Sequence, residues 1–250
     1  MAVSAQCNFV LVTMKSKKAL MIVHQPRSST GDVGLKLRDR GYELDVRRPV
    51  IGEKLPDSMN DHDVAVIYGG PPSANDNLDY IKLEIDWITV ALESKKPLLG
   101  ICLGAQMLAK NLGGTVQRAK DHQFEIGFYD IKPTGDGHKI FQNQKTFFQW
   151  HKEGFTVPKS CDILAFGETF PQQAFNYKNA VGIQFHPEVN LKMHLRWLYF
   201  AGYMLREKGA QKRNYQMQQR LSHGKKINMW LDSFIAVSYT HLTLPTICSV

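Results

Sequence analysis

Apolar residues follow two rhythms along the first half of the chain. Three short, nearly continuous runs stand out: residues 19–23 (ALMIV), 63–68 (DVAVIY) and 97–101 (PLLGI). Runs of this length without polar alternation predict strands buried on both faces, as in a parallel sheet. Residues 42–46 alternate and predict a further strand. Between these lie segments with helical spacing. Residues 31–41 carry Val33, Leu35 and Leu37 among charges and end in glycine, the pattern of a helix with a C′ glycine. Residues 78–95 repeat Ile81, Ile85, Ile88 and Leu92, with Lys82, Glu84, Asp86 and Glu93 around them. Residues 103–111 predict a helix closed by Gly113-Gly114. Strand and helix therefore alternate, which predicts an α/β fold with a doubly wound, mostly parallel sheet.

The second half is richer in strands, with candidates at 128–131, 146–149, 163–166, 173–177 and 180–185. An amphipathic helix is expected over 189–205, with Leu191, Leu195, Leu198 and Tyr203 on its apolar face. Residues 227–235 (INMWLDSFI) predict a short helix packing back on the body. The expected organisation is an upstream extension over 1–13, a main domain over 14–205 and a basic helical extension over 206–236. Met14, followed by Lys15, Lys17 and Lys18, reads as the better translation start. Residues 237–250, with VSYTHLTLPT, resemble a translated library adapter and are set aside from fold reasoning.

Composition narrows the function. With 250 residues, 43% hydrophobic and 22% charged, the chain suits one sizeable packed domain and excludes wholesale disorder. No apolar run is long enough to span a bilayer, and residues 1–13 lack the basic start of a signal peptide. The four cysteines, Cys7, Cys102, Cys161 and Cys248, show neither metal-ligand spacing nor a disulfide framework, which fits a reduced, cytoplasmic protein. The net charge of +8 is concentrated over 206–226, in Arg206, Lys208, Lys212, Arg213, Arg220, Lys225 and Lys226. This stretch reads as a solvated helix face with a spacer, or as a docking patch for nucleic acid or an acidic partner. No aromatic interleaving or nucleic-acid motif supports the second reading.

Three motifs carry chemistry. Gly100-Ile101-Cys102-Leu103-Gly104 is entered by a buried strand and left by a helix. That is the layout of a nucleophile elbow with cysteine in place of serine. The helix start it opens onto favours thiolate over thiol. The alternative is a buried structural cysteine. Gly182-Ile183-Gln184-Phe185-His186-Pro187-Glu188 ends a strand. His186 can move a proton to and from the thiol and the leaving group, and Glu188 can fix its tautomer. Gly69-Gly70-Pro71-Pro72-Ser73 follows the third strand. Its glycine pair lets main-chain N–H groups approach a ligand, so that Gly70 and Leu103 could form an oxyanion hole. Taken alone, this motif is also simply a turn.

Together, YGGPPS, LLGICLGAQMLAKNLGG and GIQFHPEV resemble the class I (triad) glutamine amidotransferase family, in particular the glutaminase domain of GMP synthase and its free-standing relatives, over about residues 19–234. The resemblance implies a flavodoxin-like fold with Cys102 as nucleophile, His186 as base and acid, and Glu188 as the orienting carboxylate. It also implies an oxyanion hole at Gly70 and Leu103. Gln106 would contact substrate L-glutamine, and the backbone near Trp150 and His151 would grip its α-amino and carboxylate groups. That last segment, QWHKE, departs from the Ser-His-Gly-Asp pattern of GMP synthases. No metal or organic cofactor is implied; ammonia would pass to a synthetase partner. No Ser-Gly-Gly-Val-Asp-Ser-type phosphate loop is present, so this chain alone is not expected to make GMP.

Other readings stay open on the sequence. The same triad would serve a hydrolase of another γ-glutamyl amide. A related cysteine-elbow superfamily places histidine directly after the cysteine, where this chain has Leu103. A non-catalytic binding or regulatory module is also compatible with the fold.

Overall fold

In β1 (Lys17–Ile22), Ala19 and Met21 enter one apolar cluster and Leu20 and Ile22 the other, and all four are fully buried. Successive side chains of a strand point to opposite faces, so an unbroken apolar run requires cover on both sides. The computed structural model describes residues 16–240, with side chains through residue 237. The expectations for residues 1–13, and for the tail from 241, lie outside the described residues.

After β1 come α1 (Gly31–Asp39), β2 (Tyr42–Arg47), β3 (Val64–Ile67), α2 (Asp79–Glu93), β4 (Leu98–Ile101) and α3 (Leu103–Asn111). Each agrees with its expected segment to within two residues, and Gly41 closes α1 at a φ of 81°. The second half adds β5 (Thr115–Arg118), β6 (Glu125–Asp130), β7 (Lys132–Pro133), the one-turn helix α4 (Gly137–Ile140), β8 (Thr146–His151), β9 (Glu153–Thr156), β10 (Asp162–Phe166), β11 (Gln172–Tyr177), β12 (Ala180–Ile183), α5 (Leu191–Phe200) and α6 (Arg213–Thr240).

The main sheet runs β2-β1-β3-β4-β12-β11-β10-β7. Its first five strands are parallel neighbours, and the rest join antiparallel. The fold is the expected α/β fold with a mostly parallel, doubly wound sheet. One face is covered by α1 and α6, through Val33, Leu37, Trp230, Leu231 and Phe234. The other is covered by α2 and α3, through Ile81, Ile88, Met107 and Leu108. β6 and β8 form a separate antiparallel pair. Among the described residues, no helix is long and apolar enough to cross a membrane.

Three helical expectations need correction. The helix expected over 189–205 is α5 followed by a 3-10 turn at Gly202–Arg206. Its buried face is also rotated. His194 and Leu198 are buried, whereas Leu191, Leu195 and Tyr203 are 46%, 49% and 71% exposed. The cause is pairing: His194 Nε2 bonds Gln216 Oε1 at 3.0 Å, and its Nδ1 accepts from Arg220 Nε at 3.3 Å. A satisfied histidine thus takes a core position that apolar counting assigns to leucine. The short helix expected over 227–235 is the end of α6, a helix of 28 residues. Within the basic stretch, residues 207–212 form the expected spacer and α6 starts at Arg213, where Lys, Arg, Gln and Met residues are good helix formers. Arg220 is not a solvated charge either. It is buried, with its guanidinium 5.0 Å from the ring centroids of both Phe128 and Phe148.

Candidate active site

Cys102 joins β4 to α3 at φ 51° and ψ −106°. A side chain in this region is strained by about 1–3 kcal/mol and persists only where its surroundings force it. Here the surroundings do. A β-carbon on Gly100 would lie 2.8 Å from the Ala105 nitrogen, and one on Gly104 would lie 2.2 Å from the Ile67 oxygen. The turn is that tight, and both flanking glycines are required. The Cys102 N–H donates to Ile183 O at 2.8 Å, and its carbonyl accepts from Gln106 N at 2.9 Å. The residue therefore sits at the carboxyl edge of the parallel sheet, where open α/β folds bind ligands.

β12 runs parallel beside β4 with Ile183 opposite Ile101, so its continuation passes next to the elbow. The His186 N–H donates to Phe148 O at 2.8 Å, which anchors the segment to β8. His186 Nδ1 lies 2.8 Å from Glu188 Oε1, and both side chains are buried. Burial favours the neutral imidazole, but the charges of Glu188 and Cys102 outweigh it and raise the His186 pKa. His186 Nε2, the ring atom left for chemistry, is buried without a hydrogen-bond partner. Trp197 packs edge-on against the imidazole with centroids 5.0 Å apart. The Glu188 carbonyl accepts from Asp32 N at 2.9 Å, so the start of α1 holds this segment from behind.

The Gly69-Gly70 loop closes the site. A β-carbon on Gly69 would lie 2.7 Å from His186 Cε1 and 3.3 Å from Cys102 Cβ; one on Gly70 would lie 3.3 Å from Leu103 Cδ2. Gly70, the pair Cys102 and Leu103, and the pair His186 and Glu188, from three separate segments, are thus brought together.

Gln106, on the first turn of α3, is buried, and its Nε2 donates to Glu153 O at 2.8 Å and to Gln184 Oε1 at 3.3 Å. It therefore links the elbow to the segment after β8. The His151 imidazole turns away into a buried polar cluster. Its Nδ1 bonds Glu153 O at 3.0 Å, and its Nε2 lies 3.1 Å from Gln149 Oε1 and 3.0 Å from Glu125 Oε2. Trp150 is half-buried, with Nε1 3.4 Å from Met204 Sδ and its ring edge-on to Trp197. Among the described residues, no group of three or more His, Cys, Asp or Glu side chains is placed to hold a metal ion.

Two residues of the site neighbourhood escape a sequence reading. His24 and Glu84 form a wholly buried pair, Nε2 to Oε1 at 2.9 Å, behind the glycine loop. Glu84 reads as one of the charges around the apolar stripe of α2, yet it has no exposed surface. The available signal is the position of His24, directly after the apolar run of β1 and so at the carboxyl edge of the sheet.

The family model for class-I glutamine amidotransferases matches residues 31–204. The chain belongs to this family. A class I glutamine amidotransferase chain of this kind has relatives of several sorts. It is 31% identical to the glutamine amidotransferase-like protein YfeJ of Salmonella typhimurium over 182 residues, 68% of this chain and 75% of that one. It is 37% identical to a glutamine-hydrolysing GMP synthase subunit from Methanococcus vannielii over 108 residues, 42% of this chain and only 57% of that protein. Among solved structures, a glutamine amidotransferase of Thermotoga maritima superposes with a TM-score of 0.81 at 29% identity, covering 90% of this chain and 98% of that one.

Proposed function

We propose that this chain hydrolyses the side-chain amide of L-glutamine through Cys102, His186 and Glu188, and that the ammonia passes to a synthetase partner. The observation that carries the reading is the strained Cys102 beside a buried His186 whose second nitrogen is held by Glu188 at 2.8 Å. The Cys102 thiolate attacks the amide carbon, and the N–H groups of Gly70 and Leu103 receive the oxyanion. His186 Nε2–H protonates the leaving nitrogen, the C–N bond breaks, and ammonia departs from a γ-glutamyl thioester. Water then gives a proton to His186 and attacks the thioester, releasing glutamate and restoring the thiolate. Glu188 holds the imidazole tautomer through both steps. Gln106 and the main chain of Trp150 and His151 border the place where the α-amino and carboxylate groups of glutamine would lie.

The test is glutamate release from glutamine by the purified chain and by Cys102→Ala. Turnover is expected in the first and background alone in the second, with the variant folded by circular dichroism. Equal activity in the two would remove Cys102 from the mechanism. A wild-type chain that cleaves other γ-glutamyl amides but never glutamine would replace the substrate.

A further inference from the structure

We infer that His24 is a positioning residue for the oxyanion site: its imidazole holds the Gly69 carbonyl and thereby fixes the Gly69–Gly70 peptide with the Gly70 N–H turned toward Cys102. This rests on the reading of Gly70 as an oxyanion donor.

The argument begins with a buried pair that has little reason to exist for stability. His24 and Glu84 have no exposed side-chain surface, and Glu84 Oε2 has no hydrogen-bond partner. Burying two charged groups in this way gains little over a well-packed apolar pair. What the pair does achieve is orientation. Glu84 takes Nε2–H at 2.9 Å, which leaves Nδ1–H aimed at Gly69 O, 3.3 Å away. Burial favours the neutral ring, but Glu84 and the carbonyls of Gly69 and Tyr68 outweigh it and raise the pKa of His24. In the charged ring both nitrogens donate.

The Gly69 carbonyl and the Gly70 N–H belong to one planar trans peptide, so they point in opposite directions. Holding the carbonyl against His24 turns the N–H away from His24. With no β-carbon on either residue, this peptide has more rotational freedom than any other pairing would allow. The glycines cannot be replaced to stiffen it. A β-carbon on Gly70 would lie 2.5 Å from His24 Cβ, and one on Gly69 would strike His186. The loop is thus wedged between the two histidines, and the His24 bond supplies the orientation that the glycines lack. A hydrogen bond to the carbonyl also polarises the N–H of the same peptide, making it a better donor.

The experiment compares His24→Asn, His24→Leu and Glu84→Gln with wild type. Asparagine places an N–H near the position of Nδ1, whereas leucine fills the volume without donating. Glutamine hydrolysis gives kcat and KM. Alkylation of Cys102 by iodoacetamide, a displacement that forms no oxyanion, reports whether the rest of the site is intact. In His24→Leu, kcat is expected to fall about 10²-fold with KM within about threefold, the scale of losing one oxyanion donor. Alkylation should keep its wild-type rate, and His24→Asn should recover most of kcat. Leucine matching or exceeding asparagine would make the role one of packing and overturn the inference. So would a kcat loss matched by an equal loss of alkylation. If His24→Leu does not fold, the isosteric Glu84→Gln decides: a kcat drop of about fivefold or more supports the link, and an unchanged kcat overturns it. A wild-type chain without Cys102-dependent glutamine hydrolysis would remove the underlying reading, an outcome visible before any His24 variant is made.

Discussion

A methyl group at Gly104 would stand 2.2 Å from the Ile67 carbonyl oxygen, a backbone atom of a central strand that cannot move aside. Gly104→Ala is therefore expected to cost at least about 2 kcal/mol, in the range for overpacking a tight core. Urea unfolding measures it, and a variant within about 0.5 kcal/mol of wild type would show that the elbow has more room than its geometry indicates. His194 makes a second prediction at this scale. Burial first, then the charge of Arg220, lowers its pKa to about 4, against a hydrogen bond to Gln216 that raises it. Its unfolded value is near 6.5, so the neutral ring contributes fully above pH 6.5. That contribution is lost as pH falls toward 4, at up to about 1.4 kcal/mol per pH unit. His24 and His186 have raised values and act with the opposite sign, so the comparison has to isolate one residue. Between pH 6.5 and 4, wild type should lose stability more steeply than His194→Gln. Parallel curves would mean that His194 does not titrate between the two states.

At the scale of elements, α6 carries a prediction that its sequence only half reveals. Trp230 is stacked on Phe141 and Phe234 and donates Nε1–H to Ile140 O at 2.8 Å. Trp230→Ala should cost about 3–5 kcal/mol, read from the shift of the unfolding midpoint. A loss below about 1 kcal/mol would mean that α6 is loosely docked. Residues 227–235 show this packing face in the sequence, because Ile227, Trp230, Leu231 and Phe234 recur at helical spacing. Residues 213–226 hide it, because two of their inward side chains, Gln216 and Arg220, are polar: both bond His194 of α5, and the Arg220 guanidinium also packs over the rings of Phe128 and Phe148. The same pairing misplaces the face of α5. β1, β3 and β4 were legible because each holds a continuous apolar run bounded by glycine, proline or charge, and α3 because it lies between the elbow glycines and Gly113-Gly114. β5, β7 and β9 were not, since they are two to four residues long and mostly polar or half-exposed. In the site, Cys102, His186 and Glu188 are legible because local glycine and proline spacing marks them. His24 and Glu84 are not, because a buried ion pair is a relation between two elements and leaves no local pattern.

For the whole molecule, the decisive question is where the folding unit ends. The family model stops at residue 204, and the basic composition beyond it reads as an appended extension. Its last turns, expected to pack back on the body, do so in the core itself. α6 places Ile227, Trp230, Leu231, Phe234 and Ile235 in the same apolar cluster as Met21, Val66 and Ile101 of the central strands. It also ties α1 to α5: Asp32 accepts from Asn228 Nδ2 at 2.7 Å and from Asn190 Nδ2 at 2.9 Å, while Lys36 Nζ donates to Asn228 Oδ1 at 3.1 Å. At about 1.5–3 kcal/mol for each large apolar side chain buried, those five residues weigh as much as the whole stability of an ordinary domain, about 5–15 kcal/mol. A chain ending at residue 212 should therefore lack a cooperative thermal transition. One ending at residue 237 should melt like the full chain, because Ile235, the last buried apolar side chain among the described residues, is retained. A residue-212 chain with a sharp, near-native transition would make α6 a true appendage. If the residue-212 chain fails and the residue-237 chain does not, the folding unit extends past the residues that the family model matches.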